Sequence, residues 1–213
     1  MMNSYAGMLE EKYSTILDEK GRKYLRFITD NAVHMQKMIL DILAFSRVGR
    51  EDLRLEPVDC NQILKAVLAK FDDVIAKTKA QIAYDSLPTI KTSPTLMHVM
   101  FQNLIGNALK FQDGSKAPQI DIRSNLAQTE VGDGVWQFSV RDNGIGICSD
   151  LHDKVFTIFQ RLHRKEDYPG TGIGLSTCKK LIELCNGKIW FVSTPAQGTE
   201  FFFTLPREAR DTL

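Results

Sequence analysis

Asn103, Asn107 and Lys110 bring two carboxamides and an ammonium to spacings of four and three residues in the run Phe101-Gln102-Asn103-Leu104-Ile105-Gly106-Asn107-Ala108-Leu109-Lys110-Phe111. On a helix those spacings point the three groups the same way. A carboxamide oxygen can ligate a hard cation such as Mg²⁺, and an ammonium can compensate an anion. Met97, Phe101, Leu104, Ala108 and Phe111 recur on the neighbouring face with the period of a buried stripe. The polar set is therefore expected on a packed support. A solvated face beside a core face accounts for any one of these residues alone, so their weight depends on the glycine-rich stretches nearer the C-terminus.

Asp142-Asn143-Gly144-Ile145-Gly146-Ile147 comes after a strand-like run and places a carboxylate where the chain enters a glycine turn. Without a Cβ, Gly144 and Gly146 let backbone approach a flat ring. Alone, the tripeptide is an ordinary turn between two elements. Gly170-Thr171-Gly172-Ile173-Gly174-Leu175 opens a helical pattern, where successive amides and the helix dipole favour phosphate. It is not a Walker A loop, because Leu175 and Ser176 succeed Gly174 where lysine and a hydroxyl residue are required. It is not a Rossmann fingerprint either, since charged residues 164–167 precede it instead of a strand. A glycine hinge remains as an alternative, compatible with phosphate binding. Gly198-Thr199 lies between two strand-like runs.

The 213 residues are 43% hydrophobic, enough for one full core and a smaller second unit. A formal net charge of +1 gives no global field for nucleic acid or an anionic membrane. Cys60, Cys148, Cys178 and Cys185 form no Cys-x-x-Cys pair and no metal-ligand spacing. Reduced thiols in a reducing compartment are expected. No apolar run reaches the ~20 residues of a membrane helix, and the start lacks a signal-peptide pattern. The chain as written is read as cytoplasmic, without membrane contact.

Residues 1–50 read as a helical hairpin. Tyr5, Met8, Leu9 and Tyr13 suggest the end of one helix, and Asp18-Glu19-Lys20-Gly21 the start of another. Leu25, Ile28, Ala32, Met35, Ile39, Ile42 and Ser46 then alternate three and four apart as a bundle seam. A two-helix hairpin buries too little by itself, so a homodimeric four-helix bundle is expected. Residues 51–58 read as a linker, 59–207 as a second domain and 208–213 as a tail. In the second domain Asp59 and Gln62 form a capping-box pattern, and Ser93-Pro94 launches the central helix. Short strands are expected at 81–84, 89–92, 120–124, 135–141, 188–193 and 200–205. Residues 150–169 are dense in charge and read as a cover over a site, with Phe156 and Phe159 as apolar points. The whole is α+β: a helical hairpin, then an α/β sandwich of helices on a mixed sheet.

The helix, both glycine loops and the final Gly-Thr together resemble the nucleotide-binding domain of sensor histidine kinases, over residues 59–206. They match its N, G1, G2 and G3 boxes, and 156–159 is similar to its F box. Tyr24-Leu25-Arg26-Phe27-Ile28 and Ile42-Leu43-Ala44-Phe45-Ser46-Arg47 resemble the second helix of the dimerisation and phosphotransfer domain, while the acceptor histidine box of the first helix has no counterpart in this chain. The resemblance implies a Bergerat-type ATP-binding fold with ATP and Mg²⁺ as ligands. It makes Asn107 the metal ligand and Asp142 the reader of the adenine amino group. Lys110, Gly146, Gly172 and Thr199 match the family's nucleotide-contacting positions, and Asn103, Phe111, Gly144, Ile147, Phe159, Gly170, Thr171, Gly174 and Leu175 complete the candidate nucleotide site. A triphosphate needs its charge compensated, and Arg161, with His163 or Arg164, is expected to close over the γ-phosphate from the cover. Relatives that hydrolyse ATP carry a glutamate at the position of Asn103, and an amide cannot serve as that base. The implied reaction is γ-phosphoryl transfer to a histidine and thence to the aspartate of a response-regulator receiver domain. His34 is read as a solvated residue and His98 as structural. A non-catalytic ATP-binding and dimerisation module, and a serine/threonine-directed kinase of the same superfamily, are the alternatives.

Overall fold

The computed structural model describes residues 2–13, 15–47, 54–128, 134–162, 168 and 170–207, in two units divided after Arg47. The first unit is a hairpin of α1 (Met2–Tyr13) and α2 (Glu19–Arg47). Asp18 accepts the Gly21 amide at 2.7 Å, closing the first turn of α2. Along the expected seam Leu25 and Ala32 are buried. Ile28, Met35, Ile39 and Ile42 remain 39–58% exposed, so the seam has more apolar surface than one hairpin can cover. The side chains of His34 and Ser46 lie outside the described residues.

The second unit begins with β1 (Glu56–Asp59), α3 (Cys60–Ala69), α4 (Asp72–Thr78), β2 (Gln81–Tyr84) and β3 (Thr89–Thr92). The end of the expected linker is thus a strand, because Pro57 and Val58 pair antiparallel with Lys91 and Ile90 of β3. Asp59 caps α3 by accepting the Asn61 amide at 2.9 Å. The central helix α5 (Pro94–Lys110) starts as its sequence dictates. Ser93 Oγ accepts the Leu96 amide at 3.5 Å, and Pro94 occupies the first turn, where a missing N–H costs nothing.

Then come β4 (Gln119–Gln128), β5 (Gly134–Asp142), a 3-10 turn (Ser149–Lys154), α6 (Gly174–Leu184), β6 (Ile189–Thr194) and β7 (Gly198–Pro206). The larger sheet has the order β2-β4-β5-β7-β6, with β2 parallel to β4 and every other pair antiparallel. This is the expected mixed sheet. β3 pairs with β1 instead of joining it.

The core lies between one face of this sheet and α3, α5 and α6. Met97, Phe101, Leu104 and Ala108 of α5 are buried, as are Leu96, Met100 and Ile105 beside them. Phe101 meets Phe138 and Phe203 edge-on at 6.3 and 6.4 Å, and those two rings stack at 4.9 Å. Phe111 departs from the expected stripe. It caps the helix with ψ of 63° and is only half-buried, its ring against Tyr168. The segment 150–169 is also only in part the expected cover, because Val155 is buried and Phe156 packs against Phe191 and Phe201. Val155, Phe156 and Leu162 seat on the core a segment that is otherwise dense in charge.

Phe101→Ala is expected to lower the unfolding free energy by about 3–5 kcal/mol in urea titration, since two aromatic partners stay fixed in the sheet and cannot collapse into the cavity. A loss below about 1 kcal/mol would contradict this packing.

Candidate functional site

Asp142 is the last residue of β5, where antiparallel pairing brings the first residues of β7 alongside. Its Oδ1 accepts the Gly144 amide at 2.8 Å and the Thr199 amide at 3.2 Å. Its Oδ2 has no hydrogen-bond partner among the described residues. Burial pushes the carboxyl up to about 6, against the lowering effect of the two amides. Glycine is required at 198: φ is 96°, and a Cβ there would strike the Asp142 carbonyl oxygen.

Ser193 fastens the two glycine turns to each other. Its Oγ accepts the Ile147 amide at 2.9 Å and donates to the Gly198 carbonyl at 2.9 Å. With that proton committed, Thr199 Oγ1 is the donor in the 2.8 Å contact between the two hydroxyls. No motif marks Ser193. The available signal is the strand alternation, which puts this hydroxyl on the same face as Ile189 and Phe191.

The end of α5 is tied to the first glycine turn. Phe111 donates its amide to Asn107 O at 2.9 Å, and its carbonyl accepts the Ile145 amide at 3.1 Å. Gln112 Nε2 reaches back to Ala108 O at 2.6 Å. On the polar stripe, Asn103 Nδ2 donates to Val99 O at 2.9 Å, and its Oδ1 faces Gly174, where any Cβ would strike it. Asn107 is half-buried, and its carboxamide makes no hydrogen bond to another described residue. Lys110 Nζ lies 4.0 Å from the Phe111 ring centroid, and a Cβ on Gly170 would stand 3.2 Å from it.

The second glycine loop is held from the preceding segment. The Phe159 amide donates to Gly172 O at 3.1 Å, while the Phe159 ring is 48% exposed. Phe159 and Gly172 have φ of 63° and 74°, a left-handed pair of which only the glycine is free of strain. Thr171 is buried and Leu175 half-buried. Arg161 donates from Nη2 to Tyr168 O at 2.9 Å. His163 and Arg164 lie outside the described residues. His98 sits 2.7 Å from Lys70 Nζ, and burial and that ammonium hold its pKa below the ordinary value.

Two sets of groups result. Asp142, Gly144, Gly146, Ile147 and Thr199 make one cluster; Asn103, Lys110, Gly170 and Gly174 make the other, with the end of α5 joining them. The first offers a recessed acceptor in a turn whose glycines pack against the chain itself, since Cβ atoms on Gly144 and Gly146 would strike the carbonyl oxygens of Phe111 and Thr194. The second offers an ammonium and the open start of α6, which has no side-chain cap. Among the described residues no three His, Cys, Asp or Glu side chains gather as a metal site. Asn107 offers a neutral amide oxygen, a kind of ligand that suits a cation keeping most of its waters. No helix among the described residues is long and apolar enough to cross a membrane.

Residues 92–209 match the family described as histidine kinase-, DNA gyrase B- and HSP90-like ATPase. Cyanobacterial phytochrome A of Nostoc sp. is 39% identical over 208 residues, covering 98% of this chain and 26% of that protein. Phytochrome-like protein Cph1 of Synechocystis sp. is 36% identical over 205 residues, covering 96% of this chain and 27% of that protein. The chain thus spans about a quarter of the length of these relatives. The crystal structure of full-length ShkA in complex with AMPPNP superimposes with a TM-score of 0.70 at 26% identity, over 98% of this chain and 44% of that one.

The Asp142 pKa predicts a pH dependence. The unfolded chain titrates near 3.8 and the folded one near 6, so between them the folded state binds more protons and this group's contribution to stability falls as pH rises. Above about pH 6 the cost of the buried charge is complete. Asp142→Asn keeps an oxygen for both amides and removes the charge. Its melting temperature is expected to exceed the parent's at neutral pH, with the gap closing below about pH 4. A lower melting temperature than the parent's at neutral pH would contradict the burial argument.

Proposed function

Because the chain belongs to the histidine kinase-, DNA gyrase B- and HSP90-like ATPase family, we propose that it is the ATP-binding catalytic core of a two-component sensor histidine kinase. On this reading it transfers the γ-phosphoryl of Mg-ATP to a histidine, from which a response-regulator aspartate receives it. The observation that carries the proposal is the Asp142 carboxylate, with Oδ1 tied by two backbone amides and Oδ2 left for a ligand. An adenine amino group is the matching donor. Gly144 and Gly146 let the turn close on the backbone of Phe111 and Thr194, which fixes the acceptor, and Ile147 and Thr199 border the base.

The phosphates then run toward the start of α6. There the amides of Gly170, Thr171, Gly172 and Gly174 and the helix dipole favour anions, and Lys110 supplies a full positive charge. Leu175 packs that helix start onto the core, Phe111 and Phe159 flank the nucleotide, and Arg161, with His163, would compensate the charge of the γ-phosphate. Asn107 would hold a magnesium ion through its open amide oxygen; the ion would neutralise charge on the phosphates. Asn103 gives the site its reaction type. Its amide cannot deprotonate water, so the γ-phosphoryl is kept for an imidazole nucleophile. As the P–N bond forms the bond to ADP breaks, and the protein's contribution is positioning and charge.

The exposed remainder of the α2 seam supports a homodimer through the hairpin. The receiver-domain partner follows from the chemistry of phosphohistidine as a donor. Cys60, Cys148, Cys178 and Cys185 are free thiols, which supports a cytoplasmic segment.

The test is incubation with γ-labelled ATP and Mg²⁺ beside a histidine-bearing helical fragment. Acid-labile, base-stable label is expected on the fragment, and Asn107→Ala should lower it by at least about a hundredfold. Acid-stable label would instead indicate a hydroxyl acceptor. Asn103→Glu is expected to shift the ratio of free phosphate to transferred label toward hydrolysis. An unchanged ratio and transfer rate would sink the assignment of Asn103.

A further inference from the structure

Tyr168 lies in none of the motifs, yet it grips the end of α5 at two points. Its Oη donates to the Gln112 carbonyl at 2.9 Å. Its ring packs on Phe111 at 5.2 Å between centroids, tilted by 45°. The same Phe111 ring bears Lys110 Nζ at 4.0 Å. Through its own carbonyl, Tyr168 also receives Arg161 Nη2 at 2.9 Å. Two residues on, Gly170 abuts Lys110.

The receiving end is rigid. Gln112 is bonded back to Ala108, and the Phe111 carbonyl to the Ile145 amide. A mere filler of space would need only the ring; the hydroxyl, committed to a backbone carbonyl, adds a directional tie. One side chain therefore connects two cations near the second glycine loop, Lys110 through a shared ring and Arg161 through the backbone it is bonded to.

We propose that Tyr168 is a positioning residue for the phosphate end of the nucleotide, pinning the backbone that carries Arg161 and Gly170 to Phe111 and Gln112 so that both cations converge on the phosphates. The inference rests on reading the site as one for ATP. Tyr168 is connected to the base end through Phe111, whose carbonyl accepts the Ile145 amide, whereas the Asp142 carboxylate itself is held by the Gly144 and Thr199 amides, so the base end should respond far less than the phosphate end.

The test compares ATP and adenosine, which lacks phosphates, by calorimetry and by NMR shift titration respectively. Against the parent chain, Tyr168→Phe should raise the Kd for ATP about threefold and Tyr168→Ala about tenfold, with the Kd for adenosine within about twofold in both. Equal weakening of both ligands would overturn the proposal and make Tyr168 a support for the base or the fold. Unchanged ATP affinity in both variants would also overturn it. A parent chain that binds neither ligand would instead overturn the nucleotide reading and this inference with it.

Discussion

Burial of the apolar side of α5 against Phe138 and Phe203 is the constraint on which the site depends. Phe101 meets two stacked rings of the sheet edge-on, and such a packing fixes the rotation of a helix about its axis. Once that rotation is set, Asn103, Asn107 and Lys110 have one direction in which to point. A turn of the helix by one residue, about 100°, would carry the amides away from the glycine loops. The core thus performs a functional task, orienting three polar groups that lie outside it.

Asp142 shows the opposite balance. Two amides are committed to one carboxylate oxygen, and burial still raises the pKa to about 6. A structure optimised for stability alone would place a neutral acceptor there. The retained charge makes sense as an acceptor strong enough to select a donor on a flat ligand, with the desolvation cost offset by the surrounding sheet. Ser193 and Thr199 stiffen this corner, so the acceptor does not have to be organised when a ligand arrives.

Most of the architecture was legible because periodicity reports burial. The strands at 81–84 and 89–92, the Ser93-Pro94 start of α5 and the closing hairpin of β6 and β7 all arise from local pattern. Pairing is non-local and was not legible: β3 joins β1, not the larger sheet, because four-residue strands carry no mark of their partner. Val155 was hidden by the charges around it, while Phe156 stood out as an apolar point without a sign of its partners in the sheet. The site motifs were readable because glycines and a carboxylate at fixed spacing are rare outside such turns. Ser193, Gln112 and Tyr168 were not, since each acts through a backbone atom of another residue, and no side-chain pattern encodes a backbone partner.

The central claim is that Asp142 and the turn around Gly144 read an adenine. It is tested most directly by titrating the chain with ATP and with GTP in the presence of Mg²⁺, by calorimetry at neutral pH. The two nucleotides share phosphates and sugar and differ at the base edge, where GTP presents a carbonyl in place of the amino group. A carbonyl facing the Asp142 carboxylate leaves an acceptor against an acceptor. ATP is expected to bind at least about a hundredfold more tightly than GTP. Equal affinities would contradict the account, because binding would then owe nothing to the carboxylate on which the site is centred.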